Sequence, residues 1–67
     1  MDISIKFGKA VRAARLEKGM SQVDLALKLK VDASYVSKIE RGIQNMSLKG
    51  VEKIAMALSV PVKNLIG

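Results

Sequence analysis

The chain has 67 residues, with 12 Lys plus Arg against 6 Asp plus Glu, a formal net charge of +6 and a pI near 10.0. A chain this short makes one domain (residues 1–67) and buries only about 60% of its unfolded surface, so a disulfide, a metal or a partner subunit commonly adds stability. Without cysteine or histidine, disulfides, zinc fingers, thiol nucleophiles and imidazole bases are excluded, and a partner subunit is what remains.

The first helix is expected from Ile3 to Lys18, with Ile3, Phe7, Ala10, Val11 and Ala14 on one inward face and Gly19 as its stop. Met20-Ser21-Gln22-Val23-Asp24-Leu25 then reads as a capping box, Ser21 with Asp24, clasped by a hydrophobic staple of Met20 and Leu25. That second helix runs to about Leu29 and buries Leu25, Ala26 and Leu29. The same order of apolar residue, cap and apolar residue recurs in Val31-Asp32 with Val36 and in Met46-Ser47 with Val51. These mark a third helix from Ala33 to Arg41, stopped by Gly42, and a fourth from Leu48 to Leu58 with Val51, Ile54, Ala55 and Leu58 inward. Pro61 suits the first position of a short fifth helix. No strand pattern, repeat, linker or low-complexity tract is present. No apolar run approaches the ~20 residues of a membrane span, and no signal-peptide order is seen, so a cytoplasmic chain is expected.

Only Lys30-Val31-Asp32 separates the second and third helices, too little to lay them antiparallel, so they must cross steeply as a helix-turn-helix. With Val36 and Ile39 packed inward, the third helix turns Ala33, Ser34, Ser37, Lys38 and Arg41 outward as one polar stripe. A solvated helix face has the same form. The stripe holds two cations, two hydroxyls and no acid, which suits a phosphate-lined groove. Tyr35 lies at its edge and faces either DNA or the neighbouring loop.

Arg12 and Arg15, Gly19, Ser21-Gln22, Leu25-Ala26, Leu29, Ser34, Val36-Ser37 and Ile39-Glu40-Arg41-Gly42 together resemble the Cro and lambda-repressor-like helix-turn-helix family. Ser47-Leu48, Ile54-Ala55, Ala57-Leu58, Val60 and Leu65 extend the likeness. Within that family, Arg15-Leu16-Glu17-Lys18-Gly19, Ser34-Tyr35-Val36-Ser37 and Gln44-Asn45-Met46-Ser47-Leu48 are most similar to controller proteins of restriction-modification systems.

The resemblance implies a compact, all-α, five-helix domain of a bacterium or phage that binds a double-stranded operator as a homodimer. It implies that Gln22 contacts a phosphate and can also brace a recognition-helix side chain, and that Asn45, Ser47 and Lys49 form a second phosphate clamp. Free amides at a helix start favour an anion there in any case. Arg15 and Glu40 become a structural pair bridging the first and third helices, while Arg12 reaches either phosphate or only water. Two positions depart from the family pattern. Lys30 replaces the usual glycine and bears a strain of about 1–2 kcal/mol if the left-handed conformation is kept. Ala33 replaces a long base-reading side chain, so that contact is missing or becomes an apolar one with a thymine methyl.

Ser34, Tyr35, Ser37, Lys38 and Arg41 are therefore the expected DNA readers, Lys38 on a base and Arg41 on phosphate. The apolar excess after the fourth helix points to a dimer interface drawn from Ile43, Val60, Val62, Leu65 and Ile66. No cofactor, metal or small-molecule substrate is expected. An enzyme is disfavoured because the carboxylates are scattered, with Asp24 and Asp32 used at helix starts, and no phosphate loop or nucleophile-base pair occurs. The competing reading is an antitoxin-like or anti-regulator module that holds another protein.

Overall fold

The computed structural model describes residues 3–66, which form five helices and no strand. In chain order these are α1 (Ile3–Glu17), α2 (Gln22–Leu29), α3 (Ala33–Glu40), α4 (Leu48–Leu58) and α5 (Lys63–Ile66). The helices enclose one core in a body of 27 × 22 × 20 Å. Phe7 and Val11 enter it from α1, Leu25 and Ala26 from α2, Val36 and Ile39 from α3. Val51, Ile54, Ala55 and Leu58 of α4 and Leu65 of α5 complete it. Burying each large side chain of this kind contributes about 1.5–3 kcal/mol, which is why the inward stripes dictate the packing. α3 lies against both α1 and α2, α4 against α2, and α5 against α1.

The helix starts follow side-chain chemistry at two of the three expected caps. Ser21 Oγ accepts the Asp24 N–H at 3.0 Å and the Asp24 carboxylate accepts the Ser21 N–H at 2.9 Å, a complete capping box. The bond from the Ser21 N–H to the carboxylate, with the Ser21 hydroxyl as a lesser contribution, holds the Asp24 carboxyl below its ordinary pKa. Ser47 Oγ accepts the Gly50 N–H at 3.1 Å. Asp32 occupies the cap position of α3, but its side chain makes no capping bond. The Tyr35 N–H that it would have accepted bonds at 3.0 Å to the Asp32 main-chain carbonyl.

The first four helices end alike, each on a left-handed residue: Gly19, Lys30, Gly42 and Ser59. The residue that follows donates back five positions, Met20 to Arg15, Val31 to Ala26, Ile43 to Lys38 and Val60 to Ala55, at 3.0–3.1 Å. Lys30 adopts φ 59° and ψ 44°, so the turn keeps the glycine geometry and Lys30 bears its strain.

Four boundary and packing details differ from the sequence expectation. α1 stops at Glu17 and α3 at Glu40, Arg41 being the cap of the latter. Ile3 is 72% exposed rather than inward, because the α1 stripe overshoots the core beyond Phe7. Leu29 is only half-buried, lying at the margin of the core where α2 ends.

Candidate nucleic-acid interface

α3 divides cleanly into two faces. Val36 and Ile39 are fully buried, while Ser34, Lys38 and the cap residue Arg41 are exposed. Ser37 is half-buried between them, and its carbonyl accepts a long bond from Arg41 Nε at 3.4 Å. Ala33 is half-buried and rests on the core, because its methyl points toward the packed side of the first turn. It is thus less outward than the stripe pattern implied. Tyr35 is also half-buried, and its hydroxyl donates to Met46 Sδ at 3.5 Å, so it leans on the loop before α4.

The one acid of α3 is removed from that outward face. Arg15 Nε donates to Glu40 Oε2 at 2.7 Å and Nη2 to Oε1 at 3.0 Å, a two-pronged fit of guanidinium to carboxylate. Arg15 Nη1 donates to the Met20 carbonyl at 2.8 Å, tying the same side chain to the turn after α1. Gln22 Nε2 donates to Glu40 Oε1 at 3.2 Å, so the first residue of α2 also grips the last residue of α3. The two charged side chains are only 9% and 4% exposed. The bond to Glu40 raises the Arg15 pKa above its already high ordinary value, against the opposing effect of burial. Three elements are therefore locked together beneath the outward face, and Gln22 is engaged as a brace.

Asn45, Ser47 and Lys49 are all exposed at the start of α4. Because the Ser47 side chain takes the Gly50 amide, the Leu48 and Lys49 amides keep the open valence of any helix start. Arg12 is exposed on α1. Thus α3, the loop after it and the first turn of α4 present Ser34, Lys38, Arg41, Asn45, Ser47 and Lys49 at the surface.

Two features of this region were not read from the sequence. Gly8 allows α1 to cross α3 at backbone contact: a Cβ there would lie 2.3 Å from the Ile39 carbonyl oxygen and 2.8 Å from that of Glu40. A glycine inside a helix costs roughly 0.5–1 kcal/mol relative to alanine, and that cost was the available signal. Met46 serves as the rest for Tyr35 as well as the apolar residue before a cap, a role with no sequence signature.

The residues expected at a dimer interface separate. Leu65 is 2% exposed and belongs to the monomer's core, because α5 packs back on α1; it is not available to a partner. Val60 and Val62 are half-buried against that core, whereas Ile43 and Ile66 are 63% and 45% exposed.

Residues 11–65 match the helix-turn-helix family model. The chain is 46% identical over 66 residues to the control protein C.BamHI of Bacillus amyloliquefaciens, covering 97% of this chain and 82% of that protein. It is 38% identical over 65 residues to the control protein C.MunI of a Mycoplasma species, covering 96% and 88% respectively. The crystal structure of the restriction-modification controller protein C.AhdI from Aeromonas hydrophila superposes with a TM-score of 0.86 at 42% identity, covering 92% of this chain and 94% of that one. With an all-helical fold, a buried brace beneath α3 and an acid-free outer face, the chain belongs to the helix-turn-helix family of DNA-binding transcriptional regulators.

Proposed function

We propose that this regulator binds a two-fold symmetric operator as a dimer, inserting α3 of each copy into the major groove, and that it acts as a restriction-modification controller. The observation that carries the reading is the sorting of charge on α3. Its single acid is turned inward and neutralised by Arg15, leaving hydroxyls and cations outward. A groove lined by phosphates and base acceptors favours that balance.

In this reading Lys38 donates to a base edge, Arg41 meets phosphate, and Ser34 and Ser37 supply shorter contacts. Asn45, Ser47 and Lys49 hold the backbone on the far side of the groove with the open amides of α4. Ala33 contributes at most its methyl, and Tyr35 reaches DNA only by leaving Met46. Gln22 acts through Glu40, and its own main-chain amide at the start of α2 is the group offered to phosphate. The similarity to C.BamHI and C.AhdI supports the controller role. No helix among the described residues is long and apolar enough to cross a membrane.

Duplex binding as a function of salt tests the reading. Arg41 and Lys49 of both copies would neutralise four phosphates, which implies a loss of affinity on the order of 10²-fold between 50 and 200 mM salt. Lys38→Ala is expected to cost about 1–3 kcal/mol and to relax preference at one position per half-site. Equal loss on every duplex would reassign Lys38 to phosphate, and salt-insensitive association would favour a protein-binding module instead.

A further inference from the structure

Away from α3, the seam between α2 and α4 opens as a shallow groove lined by Lys28, Leu29, Lys30, Lys53, Met56 and Ala57. An adjoining depression shares Lys28 and Ala57 and adds Leu27. Leu27 and Met56 are 72% and 79% exposed and stand beside these lysines. Lys28, Lys30 and Lys53 are exposed and make no ion pair among the described residues. Asp24, which lines the adjoining depression, is committed to the Ser21 amide, and Asp32 lies beyond Leu27 and Lys30 in a further depression toward Tyr35. We propose that this seam is a docking groove for an acidic amphipathic helix of another protein.

The charge and the floor together select that occupant. A second copy of this chain brings a net charge of +6 and has its few acids capped, paired or dispersed, so it cannot neutralise three clustered lysines. Duplex phosphates would satisfy the lysines, but they have no use for Leu27 and Met56. Its apolar end lies apart from the proposed DNA contacts, Met56 being about 13.5 Å along the α4 axis from Ser47 at 1.5 Å per residue, whereas Leu29 and Lys53 at its other end also line the depression that holds Ser47 and Lys49. A helix carrying apolar residues three and four apart covers Leu27, Ala57 and Met56, while glutamates on its flanks meet Lys28, Lys30 and Lys53. Methionine adapts its shape to such a ligand, and the lysine stems extend the apolar floor. The inference stands independently of the operator reading.

The test is titration of the full-length, isotope-labelled chain with a synthetic peptide of about 15 residues, Leu on one helical face and Glu on the other, followed by amide NMR. Saturable shifts are expected at Lys28, Leu29, Lys30, Lys53, Met56 and Ala57. Met56→Ser, and separately Lys28→Gln, are each expected to weaken the peptide about fivefold, with circular dichroism and duplex affinity unchanged. A scrambled peptide of the same composition is expected not to saturate. Equal binding of the scrambled peptide, shifts centred on α3, or absence of saturation would overturn the proposal. Loss of duplex affinity in the same variants would assign the groove to DNA and overturn it equally.

Discussion

Without the Glu40 carboxylate, the Arg15 guanidinium would remain in a site where its side chain is only 9% exposed, with one carbonyl as partner. Breaking a buried pair from one side typically costs about 3–5 kcal/mol, so Glu40→Ala is expected to lower the urea midpoint sharply. Replacing both residues by apolar ones of similar volume is expected to recover most of that loss; failure to recover would mean that the bonds to the Met20 carbonyl and from Gln22 matter more than the charges. Gly8→Ala drives a methyl into the Ile39 carbonyl, a backbone atom that cannot yield cheaply. Its expected cost is about 1–3 kcal/mol by denaturant unfolding, although alanine is the better helix former. Asp24 carries a pH dependence. Its folded pKa is depressed, so its contribution is present above the unfolded value of about 3.9 and is lost as pH falls through the lower folded value. Melting temperatures at pH 2 and pH 6 are expected to differ less in Asp24→Asn than in the parent chain.

At the scale of the element, the four helix ends use one device with two residue types. Gly19 and Gly42 occupy the left-handed position freely, whereas Lys30 and Ser59 bear a Cβ there. Lys30→Gly and Ser59→Gly are each expected to stabilise the chain by roughly 0.5–1 kcal/mol, the relief of strain less the extra entropy of the unfolded glycine. A thermal melt that falls for either variant would show that the turn is held by more than its dihedral angle. The helices themselves were legible because stripe and cap repeat together: Ser21 with Asp24 and Ser47 before Gly50 both act as their spacing implies. Asp32 was misread because a main-chain carbonyl competes for the same amide, which spacing does not register. Ser59 escaped notice since serine is not a left-handed signal. Ile3 and Leu65 were placed on the wrong side because periodicity assigns a face to a residue but not the distance to which the core extends. The Arg15–Glu40 geometry was accessible only through family resemblance, since 25 positions separate the two in the chain. The outward stripe was read correctly at Ser34, Lys38 and Arg41 and too generously at Ala33, whose first-turn position rests on the core.

At the scale of the whole molecule, the proposed dimer would give each α3 about half of a site, with the two copies related by a two-fold axis meeting successive major grooves about 34 Å apart. Ile43 and Ile66, left outward once Leu65 is withdrawn into the core, are the apolar residues available to such a pairing, with Val60 and Val62 at its margin. Sedimentation at micromolar concentration is expected to give twice the 7.3 kDa chain mass, reverting to the single mass in Ile66→Glu. The most direct test of a dimer reading DNA through α3 is sequencing of the duplexes that the purified chain selects from a random pool. Two inverted half-sites with centres about one helical turn apart are expected, with Lys38→Ala degrading the same position in both. A consensus of one unrepeated half-site, or one unaltered by Lys38→Ala, would contradict it.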